Sequence, residues 1–163
     1  MSKAYFNFKR ILLLTGTFVL CGMILISADN CGKGQQSLAD AVAGKEWKLL
    51  ELRKDNEVTV IDREKLESDG FGDIFTISFG EQVTGKAAPN RFTAPYQIGA
   101  NNALTIQPPA ATLMASTYDP ERIQEKDYFD YLINIKSWKF TQGMLELYSS
   151  DSDGKETVLV YGN

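Results

Sequence analysis

The chain has 163 residues, 44% of them apolar and 23% charged, which suits one globular domain with its own core. Its net charge is -4; residues 1–30 hold three basic residues and one acidic residue, so the remainder carries -6. An acidic body without a basic run lacks the footprint of nucleic-acid binding, so DNA and RNA are not expected as partners. There is no histidine, and both cysteines, Cys21 and Cys31, lie near the N-terminus. We therefore expect no His-based catalysis and no His or thiolate metal ligand in the body, and we predict no cofactor.

Residues 1–30 have the pattern of an export leader. Lys3, Lys9 and Arg10 precede an uncharged apolar run over residues 11–27. A positive segment before such a run is typical of a secretory signal. The run is also long enough for a membrane-spanning helix, which needs about 17–25 residues. Export is therefore predicted, and a retained membrane anchor stays open as an alternative.

Cys31 is the predicted lipidation site. It follows the apolar run directly and opens a polar segment, residues 31–43, which we interpret as a tether. This arrangement resembles a bacterial lipoprotein acylation site, although Ala28 and Asn30 stand where Leu and Gly or Ala are usual. Acylation predicts a protein held by an N-terminal lipid at the periplasmic face or outer membrane. Cleavage after Ala28 would instead give a soluble periplasmic or secreted protein.

The first part of the body predicts a helix and two strands. Residues 38–42 favour a short helix at the end of the tether. Residues 45–53 alternate as a strand that points Trp47 and Leu49 to one side, and Trp47 is expected in the core. A second strand is predicted over residues 57–62, and residues 63–72 are interpreted as a charged loop or helical turn.

The middle of the chain predicts a run of short antiparallel strands. Phe75, Ile77 and Phe79 alternate with polar residues, as in a half-buried strand. Gly85 is expected at a bulge or a close backbone approach, and Pro95 at an edge or bulge, because proline cannot donate to a ladder. Strands are predicted over residues 74–79, 82–86 and 103–107, and residues 90–92 and 96–98 continue the sheet on either side of Pro95.

The last part predicts one helix and three strands. Asp119-Pro120-Glu121 is a helix start. Tyr128, Tyr131, Leu132 and Ile135 then form one apolar stripe. Glu125, Asp127 and Asp130 are interpreted as the solvated face of this helix. Strands follow over residues 138–140, 144–148 and 157–161. The whole predicts a mainly β (α+β) domain over residues 44–163. We expect about eight short antiparallel strands in a closed or nearly closed, barrel-like sheet with the late helix packed on it.

Several of these segments together resemble the META domain family, the family of the heat-shock protein HslJ. The residues that carry the resemblance are Trp47-x-Leu49, Ile77-Ser78-Phe79, Gly85, Asn90-Arg91-Phe92, Tyr96, Ala111–Ala115, Trp138 and Leu145-x-Leu147. The resemblance covers roughly residues 44–161. It implies a β domain common in bacterial envelope proteins and often carried on lipoproteins, with links to envelope stress and drug tolerance. It brings no shared catalytic activity.

Two positions depart from the family pattern. Relatives usually read Gly-Cys-Asn where this chain has Ala88-Pro89-Asn90, and they often carry a second cysteine where Ser116 stands. The resemblance implies that this pair forms a disulfide in exported relatives. Both cysteines are missing here together, so packing has to replace the cross-link or the chain forgoes it.

Asn90, Arg91, Phe92 and Tyr96 are the candidate partner-binding residues. An exposed Arg and aromatic patch on a strand would suit a protein partner in the envelope. The competing interpretation has Asn90 hydrogen-bonding the backbone at a bend and Arg91 packing against Tyr96. We therefore expect a non-enzymatic binding or stabilising protein. A partner-docking or inhibitor module and a small-ligand carrier are the alternatives.

The acidic residues near the C-terminus are the remaining candidates for a ligand site. Asp151, Asp153 and Glu156 flank a glycine, as in calcium loops, but Lys155 breaks the ligand series. A solvated hairpin turn is the preferred interpretation.

Overall fold

The computed structural model describes residues 37–115 and 122–163, which fall within one compact unit, Gln35–Asn163. Cys31, the leader, Ser116 and the predicted helix start at residues 119–121 lie outside the described residues. The described strands are β1 (Glu46–Lys54), β2 (Glu57–Val60), β3 (Thr76–Phe79), β4 (Val83–Lys86), β5 (Arg91–Ala94), β6 (Tyr96–Ile98), β7 (Leu104–Ile106), β8 (Ala110–Ala111), β9 (Ile135–Thr141), β10 (Met144–Ser150) and β11 (Glu156–Gly162). The helices are α1 (Leu38–Val42), α2 (Arg63–Ser68) and α3 (Glu125–Ile133). None of these helices is long and apolar enough to cross a membrane.

The strands form one large antiparallel sheet and one small one. The large sheet runs in the order β8-β5-β4-β3-β1-β11-β10-β9, and β2 pairs with the C-terminal half of β1. β6 and β7 form a separate hairpin, which a single bridge between Ala103 and Ser137 connects to β9. The mainly antiparallel β class is confirmed. The large sheet does not close into a barrel, because its hydrogen-bonded path ends at β8 and β9.

Irregular backbone adjusts which side chains face the core. Trp47 and Leu49 are fully buried on β1, as their alternation predicts. The pairing of β1 with β11 then shifts between Leu49 and Glu51, so Leu52 is the next buried residue. A bulge of this kind resets the two-residue period by one position.

The helices agree in part with the sequence. α1 begins after Ser37, whose hydroxyl oxygen accepts from the Asp40 amide, and occupies the predicted residues. Residues 63–68 are helical, with Asp62 accepting from the Lys65 amide at the first turn. The predicted stripe on the late helix is too long, because α3 ends at Ile133 and Ile135 already belongs to β9.

The interior of the described domain is filled with large side chains. Trp47, Phe75, Tyr128 and Tyr161 are all completely buried. The Phe75 and Tyr128 rings lie 5.2 Å apart, so α3 packs directly on the residue that precedes β3. Burial of these aromatic side chains, together with the aliphatic core, removes apolar surface from water and so favours the folded state.

Candidate functional site

Asn90 is a buried clamp, with 3% of its surface exposed. Its side-chain nitrogen donates to the Met114 carbonyl at 3.1 Å and to Glu125 Oε2 at 2.9 Å. Its side-chain oxygen accepts from the Thr112 hydroxyl at 2.8 Å and from the Met114 amide at 2.7 Å. The Asn90 amide donates to Glu125 Oε1 at 3.0 Å. One side chain thus ties β5 to the segment after β8 and to the first turn of α3.

The clamp corrects one interpretation from sequence. Glu125 belongs to the clamp, rather than to a purely solvated helix face, because both of its oxygens accept from Asn90. The interpretation of Asn90 as a residue that hydrogen-bonds backbone at a bend is confirmed by its bonds to Met114. An asparagine has the donor and acceptor needed to hold the N–H and C=O of one residue together.

The clamp also presents an apolar side chain that sequence reasoning missed. Thr112 donates its amide to the Arg91 carbonyl at 3.0 Å, and Met114 is held by Asn90, so the backbone is fixed on both sides of Leu113. Leu113 is 100% exposed and Met114 is 53% exposed. The apolar run at Ala111–Ala115 was interpreted only as a family feature, and nothing in its local pattern distinguishes outward from inward side chains.

Arg91 is the exposed charged member of the predicted set. Its side chain is 72% exposed and lies 3.7 Å from Asp73. Lys86 holds the same carboxylate at 2.8 Å to each oxygen. Donation from Lys86 lowers the pKa of Asp73, and the charge of Arg91 adds to this effect. Because the ion pair of Arg91 is long and exposed, its guanidinium remains available to another carboxylate.

Phe92 is buried, and the half-buried Tyr96 packs against the core. Phe92 is 4% exposed, and its ring meets the ring of Phe129 edge-on at 5.4 Å. The Tyr96 ring packs against Phe79 at 5.5 Å, and its hydroxyl donates to the Gly80 carbonyl at 2.9 Å. The four predicted residues therefore do not form one exposed patch. Arg91 and the neighbouring Leu113 are accessible at the edge of the large sheet that β5 and β8 form.

Gly85 permits the close packing under this edge. A Cβ atom at Gly85 would lie 2.0 Å from the Thr76 carbonyl oxygen and 2.8 Å from the Phe92 ring. The predicted close approach at Gly85 is confirmed. The absence of a side chain lets β4 sit between β3 and the buried ring of Phe92.

Arg63 forms a second set of polar contacts, between β1 and the residues before β3. Arg63 donates to the carbonyls of Leu49, Ile74 and Phe75 at 2.8, 2.8 and 3.1 Å. Burial lowers the pKa of the Arg63 guanidinium. Sequence gave no signal for this role, because the three carbonyls come from separate segments. The three bonds close the junction between β1 and the start of β3.

Two buried tyrosines meet near Arg63. The hydroxyls of Tyr128 and Tyr161 lie 3.0 Å apart, and burial raises the pKa of both phenols. Because burial disfavours the charged form, both phenols stay neutral at neutral pH. The buried indole N–H of Trp138 has no acceptor among the described residues.

The acidic C-terminal turn is a capped hairpin. Asp151 Oδ1 accepts from the amides of Asp153 and Lys155 at 3.0 and 2.9 Å. This carboxylate is engaged in fixing the turn, in agreement with the preferred interpretation. The described residues contain no group of three acidic or cysteine side chains with metal-binding geometry.

Fold and site define a class of protein: a mainly antiparallel β domain in which the buried Asn90 and the partly buried Arg63 hold separate segments together. Within that class, the model of the META domain family matches residues 40–160, and the chain belongs to that family. No curated protein matches the sequence.

Two solved structures share the fold. A DUF4847 family protein from Bacteroides vulgatus is 14% identical with a TM-score of 0.52, covering 78% of this chain and 98% of its own. A protein from Burkholderia xenovorans is 15% identical with a TM-score of 0.54, covering 75% of this chain and 84% of its own. At these identities the likeness concerns the fold alone.

Proposed function

We propose that this protein is an exported, lipid-anchored META domain protein with a non-enzymatic, binding or stabilising role in the cell envelope. The observation that carries the proposal is the order of segments in the chain. A positive segment and an apolar run lead to Cys31, and a short polar segment then joins Cys31 to a META domain. The contacts of Asn90 and Arg63 favour a stabilising over a catalytic role for these side chains, because they are engaged with backbone and helix rather than aimed into a cleft.

The N-terminus of the mature protein tests the lipid anchor. Intact mass of protein purified from whole cells and from the culture medium distinguishes three forms: a chain that starts at an acylated Cys31, one that starts at Asp29, and one that retains Met1. We expect the first form. Cys31→Ala should abolish labelling with radioactive palmitate. Cys21→Ala is the matched control and should leave this labelling unchanged. A mature chain without lipid at Cys31 would refute the anchor.

A second candidate function is docking of an envelope protein at the edge formed by Arg91 and Leu113. A fully exposed leucine on a backbone fixed at both neighbours loses little entropy when a partner covers it, which suits an anchor residue. Arg91 beside it offers a guanidinium for a carboxylate on the partner.

Site-specific crosslinking in cells tests this docking edge. A photoreactive residue at position 113 should capture one discrete partner, and Arg91→Glu should weaken that capture. The same probe at Val58, which is 56% exposed on β2, is the control surface. Equal capture at both positions would reject the docking edge.

The alternative of a small-ligand carrier finds less support. The centre of the described domain is occupied by side chains such as Trp47, Phe75 and Tyr161, each with no exposed surface. A carrier of the predicted kind needs an apolar cavity of about 300–1,000 Å³ at that place.

A further inference from the structure

One end of the domain combines the first described residue with the turn between β6 and β7. An open hollow of about 260 Å³ is lined there by Ser37 and Leu38, by residues 98–102 and by Trp138. Ile98 is 46% exposed at this end. The start of α1 and the β6–β7 turn therefore share one surface, which we call the α1–hairpin end.

This end differs in charge from the rest of the domain. Residues 92–118, which include the whole β6–β7 hairpin, contain no Asp, Glu, Lys or Arg, whereas residues 31–163 carry a net charge of -6. The charged side chain beside Ser37 is that of Asp40, which accepts from the Ser37 hydroxyl at 2.6 Å. Bacterial lipid headgroups are partly anionic, and repulsion between charges acts over about 8–10 Å at moderate salt. The α1–hairpin end can approach such a surface with less repulsion than the acidic remainder.

The length of the tether limits how far this end can lie from a lipid anchor. Six residue steps separate Cys31 from Ser37 in the sequence. However they are arranged, six residues span at most about 22 Å. An acyl group on Cys31 would therefore keep Ser37, and the surface that Ser37 lines, within that distance of the headgroups.

From these three observations we propose that the α1–hairpin end rests on the lipid headgroup surface of the bilayer that holds the anchor, with Ile98 and the β6–β7 turn facing the lipid. The inference rests on the proposed acylation of Cys31. The domain then has one orientation on the membrane, which fixes the position of Leu113 relative to the bilayer.

Lipid quenching of single labels tests the orientation. The mature acylated protein has no free thiol once Cys31 is modified and Cys21 is removed with the leader, so an introduced cysteine is the one labelling position. Fluorophores at Ala100→Cys and, as a control, at Ser152→Cys in the turn between β10 and β11 are compared. The full acylated protein is placed in mixed vesicles of phosphatidylethanolamine and phosphatidylglycerol that carry a nitroxide on the headgroup of a trace lipid. We expect at least twofold stronger quenching at residue 100 than at residue 152.

Two further measurements make the outcome decisive. Ile98→Glu should reduce the quenching at residue 100, because it places a negative charge against the headgroups. A flexible ten-residue insertion before Ser37 should reduce it as well. Equal quenching at both labels in protein whose mass confirms the lipid would overturn the orientation and leave the proposed anchor intact. A mature protein without lipid at Cys31 would overturn both.

Discussion

Asn90→Ala removes the clamp that joins β5, the segment around Met114 and α3. Its side chain makes four hydrogen bonds, three with neutral groups and one with the Glu125 carboxylate. A neutral hydrogen bond contributes roughly 1 kcal/mol and one to a charged group about 2 kcal/mol. Thr112 and Met114 are exposed, so water replaces part of what they lose. We therefore expect the free energy of unfolding to fall by about 2–4 kcal/mol.

Urea unfolding followed by tryptophan fluorescence measures this loss directly. Asn163→Ala is the matched control, because Asn163 is exposed and makes a single bond to the Glu46 carbonyl at 3.1 Å. The control should change stability by less than about 0.5 kcal/mol. A loss that small for Asn90→Ala would refute the clamp.

Asn90→Asp keeps the shape and changes the charge. The new carboxylate would face Glu125 at the place where a nitrogen now donates at 2.9 Å. Two carboxylates so close raise the pKa of one of them in the folded state above its unfolded value. The folded state then binds more protons than the unfolded state, so the variant should be least stable at neutral pH and recover as the pH falls through the raised pKa. A destabilisation independent of pH would contradict the contact with Glu125.

Three further outcomes are expected. Gly85→Ala should lower stability by about 3 kcal/mol or more in thermal unfolding, because its Cβ would overlap a backbone oxygen, whereas Gly80→Ala, whose Cβ would meet nothing nearer than 3.9 Å, should be close to neutral. Arg63→Ala should cost about 2–4 kcal/mol in urea unfolding and Arg63→Lys should restore part of it; equal losses would argue against bonds to several carbonyls. Burial, reinforced by Glu146, raises the pKa of Tyr148 to about 12, so its folded phenol keeps a proton that the unfolded chain releases. Stability should therefore fall as the pH rises above about 10, where an unfolded tyrosine ionises. Glu146→Gln should lower the pKa that ultraviolet titration gives for Tyr148, and an unchanged pKa would contradict the role of Glu146.

The sequence by itself determined most of the local structure. Alternation located β1, β3, β4 and the three C-terminal strands, because a strand with one buried face repeats every two residues. The close backbone approach at Gly85 and the hairpin turn at Asp153-Gly154 were also predicted, and the structure confirms both. The family followed from the order of such segments.

The tertiary structure decided which segments become neighbours. Asn90 and Glu125 are 35 residues apart, and no local period links them; the clamp exists because β5 and α3 are packed together. The same packing buries Phe92 and leaves Leu113 in solvent. Phe92, a partner-binding candidate from the sequence, is therefore inaccessible to a partner, whereas Leu113, which was not a candidate, is accessible. Sheet order is likewise long-range: the period of a strand shows which side is buried but carries no information about its partner. The predicted barrel of about eight strands is therefore replaced by an open path of eight strands, with β2 paired to β1 and the β6–β7 hairpin forming a separate sheet.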